Sequence, residues 1–367
     1  MITVIALIAC NQKNKQNTDK GNIQVDSIFS IIDSASNNEL SSKIRTEYLN
    51  KALVGTNEII NDSLKIKLLS KISLRFLQLN DSINFIKTNQ QTVQLAKALN
   101  DSVTIAESNW DMAAFYRAKS KSDNAYYYFF EAQKIYESLN KSYESARMLY
   151  NMAVAQADIK DYTGSEINTI KAIEILKPLN KYRRLYNCYN NLGSITKELK
   201  DYDRALEYYN KALEYQKKIQ ENNSLDLSLL NNIGVVYLNQ GNYQKAVPYF
   251  QQVLDNKDIL KKQPKLYALA LNNLTYGKSK IFSESDFSSS FEKVIQIQDS
   301  LGEVQHLSRT HYCFADYYLS KKDSVQAIAQ IKMALGYSKI SSNNDRFLKS
   351  LQMLSKIDPS NSYLLLL

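Results

Sequence analysis

The chain has 367 residues, 44% of them hydrophobic and 23% charged, with 9 Gly, 4 Pro, 3 Cys and 2 His. So few glycines and prolines leave little for the turns of a β-sandwich or for phosphate-cradling loops. Three cysteines and two histidines build neither a disulfide framework nor an ordinary zinc site. An all-α chain with no cofactor and no metal is the expectation. The 46 Lys and Arg outnumber the 37 Asp and Glu, a net charge of +9 that by itself would suit an acidic partner, a membrane or a nucleic acid. The signs interleave, however, as in Lys197-Glu198-Leu199-Lys200-Asp201. This distribution predicts solvated helix faces and no direct contact with nucleic acid.

Residues 1–10 open with the apolar run Met1 to Ala9 and end at Cys10. Nine residues are too short for a bilayer, which needs about 20, but they suit the apolar part of a signal segment. Leu7-Ile8-Ala9-Cys10 resembles the lipobox of bacterial lipoproteins, although the usual Lys/Arg start is missing. That resemblance implies lipidation at Cys10, a flexible tether over 11–24 and an envelope location facing the periplasm. If the segment is not a signal, a cytoplasmic location follows.

Residues 25–104 read as two degenerate helix pairs, with Phe76 and Phe85 at positions of the later pattern. From 105 to 342 the pattern is regular and makes six repeats. Its anchors Met112, Met152, Leu192, Ile233, Leu274 and Phe314 recur every 40 or 41 residues, and Leu354 continues the series. Thirteen residues after each anchor come Ala125, Ser165, Ala205, Ala246, Phe287 and Ala327. Four further on lie Phe129, Thr169, Tyr209, Phe250, Phe291 and Ile331, and three beyond those Ala132, Ala172, Ala212, Val253, Val294 and Ala334. Steps of four and three put these on one stripe of a helix. Between anchor and stripe, Asp161, Asp201, Asn242, Ser283 and Asp323 are helix-capping types in one register. Each unit is thus helix A, a turn and helix B, with Pro248 expected to bend its B helix.

Leu192-Gly193 and Ile233-Gly234 in helix A, Tyr237 three past the second glycine, then Ala246 and Phe250 resemble the tetratricopeptide repeat family. Met152-Ala153 and Phe314-Ala315 lack the glycine, and the period exceeds the about 34 residues usual for the family, which predicts longer helices. The resemblance implies a tetratricopeptide-like α-solenoid, a right-handed superhelix whose A helices line a concave groove for a peptide or protein segment. It further resembles Bacteroidetes lipoproteins and the sensory arrays of membrane-bound regulators. Residues 343–367 read as an incomplete repeat ending in four leucines.

The residue before the anchor is Asn151, Asn191, Asn232 and Asn273 in four successive units. An amide both donates and accepts, and ladders of this kind in tetratricopeptide proteins imply a grip on peptide backbone. Tyr150, Asn190, Asn231, Asn272 and Tyr312 flank the ladder, and Arg147 and Arg309 suit an acidic group or a terminal carboxylate. The same amides would also serve to join neighbouring helices. Cys188 and Cys313 fall in helical patterns as small core residues. His306 and His311 are five apart, on different sides of a helix, and His311 is expected to pack. No catalytic constellation is present in the sequence. The reading is therefore a non-enzymatic interaction scaffold, with the alternative of a sensory array whose output part has been lost.

Overall fold

The computed structural model describes residues 25–219 and 226–360, and among these all regular structure is helical. They form two compact units, residues 1–184 and 185–367. The boundary falls inside a helix where the 40-residue period runs on without interruption, so the repeat pattern does not mark it. Cys10, the tether and the terminal leucines lie outside the described residues.

The first unit contains α1 (residues 25–34), α2 (Ser42–Gly55), a 3-10 turn (Thr56–Glu58), α3 (Asp62–Gln78), α4 (Ser82–Ala98), α5 (Ser102–Ala118), α6 (Ser122–Ser138), α7 (Ser142–Asp158) and α8 (Tyr162–Leu176). From α3 to α7 the helices have 17 residues and the connections three. Two such helices and two such turns account for the 40-residue period. From Asp62 onward the region read as degenerate thus has the same helical register as the regular repeats.

Each turn works by one device. The middle residue of the three-residue turns takes the left-handed conformation, a region where asparagine is enriched, at φ 57° for Asn80, 55° for Asn100 and 55° for Asn140, and Asn180 does so at 51° in the longer turn after α8. The next amide then closes the preceding helix, as Asp101 N–H does on the Ala96 carbonyl at 2.8 Å. Where the last turn residue is an aspartate it also caps the following helix, as the Asp101 carboxylate does by accepting from Thr104 N–H at 3.1 Å, whereas Lys121 and Lys141 make no side-chain cap. Asp161 likewise caps α8.

The second unit contains most of α9 (Tyr182–Glu198), then α10 (Tyr202–Ile219), α11 (Leu227–Asn239), α12 (Tyr243–Leu254), α13 (Ile259–Lys262), α14 (Pro264–Ile281), α15 (Ser288–Ser300), α16 (Val304–Ser320), α17 (Ser324–Ile340) and α18 (Asn344–Ile357). Asp201, Asn242 and Asp323 cap as expected. Ser283 does not. The turn after α14 runs from Phe282 to Phe287, so Ser283 lies too early. Tyr317 holds this longer turn, accepting from Phe287 N–H at 3.1 Å and donating to Asp286 at 2.9 Å. Pro248 stands inside α12, which continues through it.

All seven anchors are buried. The stripe on the B helices is buried throughout as well, apart from Phe287, which lies just outside α15 and is partly covered. Close approach explains the two glycines. A Cβ on Gly193 would lie 2.5 Å from the Tyr209 ring, and one on Gly234 would lie 2.7 Å from the Phe250 ring. Where helix A has Ala153 instead, the facing register position of helix B is the smaller Thr169. Cys188 and Cys313 are buried. Among the described residues no helix is long and apolar enough to cross a membrane.

Candidate ligand-binding cleft

Helices α5 and α7 of the first unit, with Phe129 of α6 and the first turn of α9, enclose a cleft of 450 Å³ lined by Trp110, Ala114, Arg117 and Ala118 of α5, Arg147 and Asn151 of α7, Phe129 and Arg184. Steps of three and four along α5 put Trp110, Ala114 and Arg117 on one face. The alanines leave the volume that the longer chains surround. The Arg147 guanidinium lies 4.1 Å from the Trp110 ring centroid and 5.7 Å from that of Tyr143. Arg184 donates its Nε–H to the Tyr143 hydroxyl at 3.4 Å, and the guanidinium beside it holds that phenol below its usual range. Among the described residues none of the three arginines forms an ion pair, and the Asn151 amide has no hydrogen-bond partner. Three cations, an indole and a free amide make a surface for an anion, above all a planar carboxylate.

Trp110 also lines a second cleft, of 250 Å³, with Ser70, Lys71, Ser73 and Leu74 of α3, Asn89 and Thr92 of α4, and Glu107, Ser108 and Asp111 of α5. Asn89 is fixed by donating to the Ser108 carbonyl at 3.1 Å. Burial, with the Glu107 carboxylate adding to it, pushes the Asp111 carboxyl up to about 7. Burial also raises Glu107, against the pull of Lys141. Opposite charges thus flank one indole.

Of the residues singled out from the sequence, only Arg147 and Asn151 line this cleft. Tyr150 is half-buried on α7. The rest belong to the second unit. There Asn273 donates Nδ2–H to Asn231 Oδ1 at 3.1 Å, a buried bond between α14 and α11. Asn272 is buried too, and its Oδ1, like those of Asn273 and Asn190, has no partner among the described residues. Asn191 and Asn232 are half-buried on α9 and α11. Burial lowers the Arg309 guanidinium, opposed by the Cys313 thiol it bonds. Tyr312 carries the Arg346 guanidinium 4.8 Å from its ring. His311 is buried, stacked on Tyr337 at 5.4 Å and bonded to Gln330 at 2.7 Å. Among the described residues no group of His, Cys, Asp and Glu is placed to hold a metal ion.

Trp110, Arg117 and Arg184 were not among the expected site residues. Trp110 had a legible signal, for it stands one period before Tyr150 and Asn190, at the position flanking the amide ladder. The two arginines had none, because each occupies a different register of its helix.

The repeat geometry, with its glycine and aromatic contacts, is joined by a sequence match: residues 184–258 match the tetratricopeptide repeat family. The chain carries tetratricopeptide repeats. No curated protein matches it. Among solved structures, it is similar to the apo form of RapI, at TM-score 0.62 and 18% identity over 76% of this chain and 99% of that one. It is also similar to the Rap conjugation gene regulator of the plasmid pLS20 in complex with the Phr* peptide, at TM-score 0.57 and 17% identity over 92% and 89% of the two chains. A STAND protein with a tetratricopeptide repeat sensor from Pyrococcus horikoshii matches at TM-score 0.57 and 14% identity, over 91% of this chain and 53% of that one. At these identities the likeness is one of fold.

Proposed function

We propose that this chain is a non-catalytic scaffold that binds a peptide or an extended partner segment on the A-helix face of its first unit. The observation that carries the reading is the cleft at Trp110, where Arg117, Arg147 and Arg184 meet Asn151 with no ion pair among the described residues. Unpaired guanidinium groups beside an aromatic ring leave their hydrogen-bonding capacity for a ligand. A relative of the same fold holding a Phr* peptide supports a peptide as the ligand class. Chemistry on the ligand has no support in the cleft, whose side chains suit recognition.

Passing a synthetic library of random pentapeptides over the immobilised full chain tests this. Retention of a defined subset, read by mass spectrometry, is the expected result. Retention no greater than on bare resin refutes the reading. Lipidation at Cys10 and an envelope location belong to the same proposal, and radiolabelled palmitate that is incorporated by the native chain and lost in Cys10→Ser is the outcome it requires.

The tetratricopeptide sensor of the Pyrococcus horikoshii protein favours a second reading, that the array senses a ligand for a signalling regulator. Under it, ligand binding changes the spacing of the helix pairs, and small-angle scattering of the chain with and without a retained peptide separates the two readings.

A further inference from the structure

We infer that the two clefts sharing Trp110 accept one short peptide of fixed polarity, its carboxylate held by Arg117, Arg147 and Arg184 and its cationic group held by Glu107 and Asp111. This rests on the peptide-binding reading and names the chemistry of its ligand. The carboxylate has two sources, the chain terminus or an Asp or Glu side chain, and the test separates them.

Four observations carry it. The two charge clusters line neighbouring clefts around one indole, yet no arginine of the cleft pairs with either carboxylate among the described residues. No arginine is among the groups that shift either carboxyl: burial and Glu107 act on Asp111, and burial, Lys141 and Asp101 act on Glu107. The guanidinium cluster therefore keeps a charge that an external carboxylate would neutralise, and a cation entering the acidic cleft would draw the buried Asp111 carboxyl from its protonated form into the charged one. Second, the Ser73 hydroxyl lines the acidic cleft, is 2% exposed, and has no partner among the described residues. A hydroxyl in that state can accept from an ammonium. Third, Lys71, the one cation lining the acidic cleft, has its ammonium 4.6 Å from the Phe29 ring centroid. Fourth, the Asn151 amide at the other end has both its donors and its acceptor available for the main chain of the same peptide.

A ligand with only one charge would satisfy one cluster and leave the other bare. Selectivity for a doubly charged peptide follows, since like charge near either cluster is repelled and opposite charge is attracted.

The chain has a single tryptophan, so indole emission reports on this spot alone. The experiment uses the full chain and random pentapeptides in four forms: free at both ends; C-amidated with Asp and Glu omitted; C-amidated with them present; and N-acetylated with Lys and Arg omitted. Free peptides are expected to be retained and to shift Trp110 emission. The amidated form without acidic residues and the acetylated form without basic ones are expected to bind at least tenfold more weakly, about 1.4 kcal/mol. Retention of the amidated form with acidic residues identifies the side chain as the carboxylate source, and its loss identifies the terminus. Arg147→Met with Arg184→Met should abolish the preference for a carboxylate, and Asp111→Asn the preference for a cation, both with helical circular dichroism unchanged. Equal retention of all forms, or selective retention without any change in Trp110 emission, overturns this inference and leaves peptide binding standing. No retention of any form overturns both.

Discussion

The Arg147 guanidinium of α7 lies 4.1 Å from the ring centroid of Trp110 on α5, with no carboxylate paired to it among the described residues. A cation over an indole at a half-exposed site contributes about 0.5–1 kcal/mol. Arg147→Ala is therefore expected to lower the melting temperature only slightly while letting water reach the indole. A red shift of tryptophan emission in the folded chain checks this; unchanged emission would place the guanidinium elsewhere.

The helical glycines differ in what they permit. At Gly234 a methyl group would meet the buried Phe250 ring, and overpacking outweighs the gain in helix propensity, for a net loss of about 1–2 kcal/mol. At Gly336 in α17 nothing lies within 4 Å of an added Cβ, so Gly336→Ala gains about 0.5–1 kcal/mol. Urea melts of the two variants should move in opposite directions.

Asn273 and Asn231 make a buried amide pair between two A helices one repeat apart. Removing either leaves its partner unsatisfied, at a cost of about 1–3 kcal/mol. The double variant Asn231→Ala with Asn273→Ala should cost less than the two single variants together. A double-mutant cycle in denaturant measures this, and strict additivity would mean that the two amides do not interact.

The Asp111 carboxyl is pushed up to about 7 from an ordinary 3.8. Between these values the unfolded chain has lost this proton while the folded chain keeps it, so stability falls as pH rises from about 4 to about 7 and then levels off. Glu107, also raised by burial, adds to the same trend. Asp111→Asn is expected to flatten the slope and to raise the melting temperature at pH 8 above that of the native chain. An unchanged pH profile would show that Asp111 is solvated.

The fold was legible because its determinants repeat. Ala125, Phe129 and Ala132 say little alone, but the same steps of four and three recur in every later unit, and a buried stripe is the only physical reason to keep them. Departures from the period were not legible. Ser283 has the right residue type at the right spacing, yet the turn after α14 is longer and is held by Tyr317, a contact with no local signature. Asparagine turned out to have several uses that a sequence does not separate: Asn80, Asn100, Asn140 and Asn180 sit left-handed in turns, Asn231 and Asn273 join helices, and Asn151 lines the cleft. The cleft itself escaped because Trp110, Arg117 and Arg184 share no register. Three positions from different helix turns converge only once α5, α7 and the start of α9 are laid side by side.

The central claim is that the A-helix face at Trp110 is where the partner binds. A crystal structure of the full chain with a retained pentapeptide tests it most directly. Peptide density is expected against Trp110, with a carboxylate oxygen within hydrogen-bonding distance of Arg147 or Arg184. Peptide bound elsewhere on the chain, with the Trp110 cleft filled only by solvent, would contradict it.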